Sequence, residues 1–117
     1  MSAADVAALR AEYAAACARQ RWGEAAAVAV LLGFRPIAAH RGFYPHVSAG
    51  GVNWDTVLAV PWSSAERFLV ETAAALWRGQ GTAEISQVAF IDDSFFAAWL
   101  AMITAARSGR VPGGWQT

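Results

Sequence analysis

Ser63, followed three residues later by Glu66, is the feature that most restricts this chain. The pair is a capping box: the hydroxyl takes the Glu66 backbone N–H while the carboxylate reaches back to the cap residue, so a helix begins there. Phe68, Leu69, Thr72, Ala73 and Leu76 then recur at three- and four-residue spacing and make one buried stripe. Arg78 and Gly79 close the helix with a C-terminal positive charge and a left-handed stop.

The same logic runs on to residue 109. After a Gly-containing turn, Thr82 caps a short helical segment that buries Ile85, Val88 and Ala89, and Asp92 or Asp93 caps the next helix through its carboxylate. That helix carries Phe96, Trp99, Leu100, Ile103 and Ala106 on its core side and ends at Arg107, Ser108 and Gly109. Residues 62–109 therefore read as a helix-turn-helix-like unit of three helices.

Upstream, residues 3–21 form a first helix, capped by Ser2 or Asp5, with Val6, Leu9, Tyr13, Ala16 and Cys17 on one face. Trp22 and Gly23 interrupt it. Residues 24–32 are almost wholly apolar, and periodicity alone admits a buried strand as well as a helix. Ala25, Ala26 and Ala27 favour the helix. The pair is similar to a hairpin of the tetratricopeptide arrays, but one copy stands alone without the array's spacing, and such repeats need neighbours to bury their faces.

Residues 34–61 change character. Pro36, Gly42, Pro45, Gly50 and Gly51 punctuate them, and the apolar residues between are not spaced for a helix. An irregular connection with room for a short hairpin is expected, ending in one turn, 56–60, capped by Asp55 and stopped by Pro61. The expected fold is a small all-α bundle of one domain. Its parts are an N-terminal helical hairpin (1–33), the irregular connection (34–61), the three-helix unit (62–109) and a tail (110–117) that carries Trp115.

Composition narrows the function. The basic residues are all Arg, nine against nine acids, for a formal net charge of zero. The absence of Lys is what a high-GC coding bias produces, as in small proteins of high-GC bacteria or their phages. A neutral chain with scattered Arg lacks the basic footprint of nucleic-acid binding. One cysteine rules out an internal disulfide and a Cys-based zinc site, and no cofactor or metal is expected. There is no signal-peptide pattern, and the uncharged apolar runs fall short of the ~20 residues of a membrane span, so a cytoplasmic chain is expected.

Three groups of residues are candidates for function. Loops on a rigid scaffold tend to hold polar site residues, and Arg35, His40, Arg41, Tyr44, His46 and Asp55 all fall in the irregular middle. Two histidines with a carboxylate can ligate a metal or supply a base and its orienter, and arginines can hold an anion. Their spacing matches no ligand signature, and turn or surface roles are the better explanation of the two histidines. Asp92 and Asp93 as paired acids are better explained as helix caps, and Cys17 as a small buried hydrophobe.

The second group is the helix-turn-helix shape itself. A recognition helix over 94–107 would need Arg, Lys, Asn, Gln or Ser aimed at base edges. It opens instead on Phe95, Phe96, Ala97, Ala98 and Trp99.

The third is the side of that helix opposite its expected core side: Phe95, Ala98, Met102 and Ala105. A helix apolar all round is buried all round, and a chain of 117 residues has little material to enclose it. The cover is either a second subunit or protein partner, or the helix of residues 24–32. The expected role is a non-enzymatic interaction module that self-associates as a homodimer or binds another protein. A ligand-binding or enzymatic protein built on His40, Arg41, His46 and Asp55 is the alternative, and a helix-turn-helix-like transcription regulator the third.

Overall fold

The computed structural model describes residues 3–20, 23–79 and 83–112, with residues 3, 17–20 and 23 as backbone only. Within them the chain forms α1 (Ala3–Gln20), α2 (Gly23–Leu32), α3 (Arg35–Ala38), β1 (Val47–Ser48), β2 (Gly51–Val52), α4 (Trp54–Leu58), α5 (Ser64–Arg78) and α6 (Asp93–Ser108). Two 3-10 segments, Tyr44–His46 and Ile85–Ala89, complete it. The all-α class stands, with the strands reduced to one two-residue antiparallel hairpin pairing Val47 with Val52 and Ser48 with Gly51. The side chain of Cys17, the break at Trp22, the cap at Thr82 and the docking of Trp115 lie outside the described residues.

The apolar run of residues 24–32 is a helix, and it is the centre of the protein. Its side chains at 25–32 are at most 3% exposed, and α1, α5 and α6 all pack against it. Alanines at 25, 26, 27 and 29 let these neighbours approach closely, and Val28, Val30, Leu31 and Leu32 fill the gaps between them. A helix with no exposed face needs no polar side, which is why its sequence lacks helical periodicity.

α5 follows its local signals. Ser63 accepts from the Glu66 N–H at 3.3 Å and Glu66 Oε1 accepts from the Ser63 N–H at 3.0 Å. Gly79 takes φ 68°, a left-handed conformation that glycine adopts without a side-chain clash. Phe68, Leu69, Thr72 and Ala73 are buried as expected. Thr72 donates its hydroxyl to the Phe68 carbonyl at 2.7 Å and accepts from the Trp99 indole N–H at 3.2 Å, tying α5 to α6.

α6 starts and stops as expected: Asp92 accepts from the Phe95 N–H at 2.9 Å, and Gly109 closes the helix at φ 74°. Its orientation is reversed. Ala98, Met102 and Ala105 are 0% exposed and Ala101 8%, while Phe96 is 39% and Leu100 48% exposed. Phe95 is half-buried and meets Phe34 edge-on, ring centroids 5.0 Å apart. The expected intermolecular surface of Phe95, Ala98, Met102 and Ala105 is therefore the helix's own core face. The reason is size: small residues at 98, 101 and 105 allow the backbone of α6 to lie close to the alanine-rich α2, and the bulky residues at 96 and 100 turn outward.

The short segment before α6 departs in the same direction. Ile85 is 62% exposed and Ala89 is exposed, leaving only Val88 half-buried where both others were expected inside. The segment is 3-10, with three residues per turn, so Ala89 falls off the side that Ile85 and Val88 share. The expected turn at 56–60 begins earlier, at Trp54, because Asn53 and not Asp55 is its cap; Asn53 Oδ1 accepts from the Thr56 N–H at 3.4 Å.

Candidate functional site

The irregular middle is held by side chains doing structural tasks. Trp62 donates its indole N–H to the Val57 carbonyl at 2.8 Å, and His40 lies half-buried on the Trp62 ring, centroids 4.3 Å apart. His40 Nδ1 accepts the Gly42 N–H at 2.9 Å, which places the ring hydrogen of the neutral imidazole on Nε2. Gly42 is required there: a Cβ would stand 2.8 and 2.9 Å from the two Val60 methyls. Arg67 reaches from α5 to the carbonyls of Val60 (2.8 Å) and Leu58 (3.4 Å), satisfying acceptors left open at the end of α4.

The six middle residues are spread over several elements. Arg35 is exposed at the start of α3, Arg41 is exposed in the following turn, and Tyr44 and His46 are half-buried at the two ends of a 3-10 turn. Asp55 is exposed on α4 and ion-paired with Arg78 of α5. Among the described residues no group of three His, Cys, Asp or Glu side chains is placed to hold a metal ion.

None of the six lines either of two depressions formed by described residues. A groove of about 150 Å³ runs between α5 and the 3-10 segment, lined by Ser64, Arg67, Phe68, Glu71, Glu84 and Gln87. A wider hollow of about 400 Å³ lies over α1 and the hairpin turn, walled mostly by alanine.

Tyr13 anchors α1 to the middle segment. It is 4% exposed, donates to the Ser48 carbonyl at 2.6 Å and packs against Trp77, ring centroids 6.1 Å apart. Burial, helped by the neighbouring Glu12 carboxylate, pushes its phenol up to about 12. Trp77 in turn packs on Trp54, whose buried indole N–H meets no acceptor among the described residues.

The surface that stands apart is apolar. The large hydrophobic side chains that are exposed among the described residues are Ile85 (62%), Phe90 (79%), Phe96 (39%) and Leu100 (48%), and all fall within residues 85–100. Phe96 stacks on Trp99, which stacks on Phe68, so the outer layer is continuous with the core. At its N-terminal edge stand the exposed Asp92 and Asp93, an arrangement that would repel a phosphate backbone. Hydrogen bonds from the Phe95 N–H and the Ser94 hydroxyl hold the Asp92 carboxyl below its usual range. Sequence reasoning placed Ile85, Phe96 and Leu100 in the core; their bulk, beside the small residues at 98, 101 and 105, was the signal for the opposite face.

No helix among the described residues is long and apolar enough to cross a membrane. The chain matches no protein-family model, no curated protein and no solved structure.

Proposed function

We propose that this protein is a non-enzymatic interaction module of the cytoplasm that self-associates through the outer side of α6 and the segment leading into it. One observation carries the reading: among the described residues, exposed bulky hydrophobics are gathered in residues 85–100 instead of being scattered. Scattered apolar residues are ordinary on a surface, whereas a gathered set marks an interaction site. Aromatic residues also suit this use, because they add large contact area at small entropic cost. Zero net charge removes the long-range repulsion that keeps many chains apart.

Sedimentation equilibrium of the intact chain and of Leu100→Asp tests the reading. The expected result is reversible association of the first and a monomer for the second, with the same helical circular dichroism. A wild-type chain that stays monomeric to its solubility limit, or a Leu100→Asp variant that associates equally well, would overturn it.

A further inference from the structure

The outer face of α6 has a symmetry of its own. Asp93, Phe96, Leu100, Ile103 and Arg107 follow one another at spacings of three and four, which places them on one stripe. Asp93 and Arg107 each lie seven positions from Leu100, one at either end of the helix. The stripe is thus acid, apolar centre, base, with Ala97 and Thr104 exposed beside it. Neither terminal charge is in an ion pair among the described residues.

We propose that the occupant of this face is a second copy of the chain, its α6 antiparallel to the first and the two-fold axis at Leu100. The proposal rests on the self-association reading above and adds its geometry. Turning one stripe end for end sets Asp93 against Arg107 of the second copy, twice over, while the apolar centres meet. A two-fold interface requires such self-complementarity. Seven residues span about 10 Å of helix, so at a crossing angle near 20° the two axes diverge by only about 4 Å at the charged ends, within reach of an arginine. The antiparallel arrangement also brings each positive helix N-terminus beside a negative C-terminus. A parallel pair would set Asp93 against Asp93 and Arg107 against Arg107.

Charge reversal on the full chain tests the arrangement by sedimentation equilibrium. Asp93→Arg and Arg107→Asp are each expected to weaken dimerisation about tenfold, because each turns two attractions into repulsions, and the double reversal is expected to restore it to within about twofold. Oxidative cross-linking gives a readout free of any effect of those charges on the helix. Leu100→Cys should form a disulfide dimer rapidly and Phe96→Cys should not, with the unsubstituted chain as the control for Cys17.

Single reversals without effect, a double reversal that stays weak, or equal cross-linking at 96 and 100 would overturn the antiparallel pairing. If Leu100→Asp still abolishes association in that case, the surface reading survives. If Leu100→Asp has no effect, both fall together.

Discussion

The two faces of α6 can be separated by energy, using one substitution on each. Met102 is fully buried beside α2, so Met102→Ala removes a side chain that the surrounding helices cannot collapse to replace. Such changes cost about 2–5 kcal/mol, and a mid-range figure of about 3 kcal/mol suits a site with close-packed alanine neighbours. Leu100 is 48% exposed. Full burial of a leucine is worth roughly 1.5–3 kcal/mol, so Leu100→Ala forfeits about 1 kcal/mol, slightly offset by the better helix propensity of alanine. The gap of about 2 kcal/mol corresponds to several degrees in Tm for a domain of this size.

Urea unfolding followed by far-ultraviolet circular dichroism measures both, at a protein concentration low enough that association adds nothing to stability. The expected order is Met102→Ala far below Leu100→Ala, with unchanged denaturant dependence. Equal losses, or a larger one for Leu100→Ala, would refute the assignment of faces and with it the interaction surface.

Three further outcomes are expected. Gly42→Ala forces a Cβ against the Val60 methyls and should cost about 1–3 kcal/mol by overpacking, with much of it recovered in Gly42→Ala/Val60→Ala; chemical denaturation of these two variants and of Val60→Ala checks the coupling. Tyr13 binds its proton more tightly folded than unfolded, so its contribution is complete below pH 10 and is lost as pH rises through about 12, a fall of roughly 2–3 kcal/mol that Tyr13→Phe should flatten in a stability-against-pH series. Asp92 has the opposite sign: its lowered value stabilises above the ordinary carboxylate range and the benefit disappears as pH falls through it. Asp92→Asn keeps an N-cap and should reduce that acid dependence, measurable by thermal melts below about pH 4.

Local chemistry was readable in the residues and tertiary choice was not. The Ser63 and Glu66 box, the Gly79 and Gly109 stops and the Asp92 cap depend on neighbours within four positions, so spacing alone identifies them. The direction in which α6 faces depends on what lies against it. A helix apolar on every side carries no amphipathic signal, and only the match of small residues on α6 to alanines on α2 reveals the buried side. Asp55 shows the same limit: it looks like a cap beside Thr56, yet its partner is Arg78, 23 positions away. The middle residues form no shared centre for a related reason. His40 and Asp55 are engaged separately, by Gly42 and Trp62 in one case and by Arg78 in the other.

The enclosure of α2 also bears on how the protein comes into being. As the polypeptide leaves the ribosome, α2 appears early and meets α1 at once, but α5 and α6 are encoded far downstream. Until residue 108 has emerged, a greasy rod whose one charge, Glu24, lies in its first turn is left half wet, a natural docking point for a chaperone or for another nascent copy. A product truncated before α5 would carry that rod permanently, and it should be found in inclusion bodies or degraded, whatever the intact molecule's own solubility.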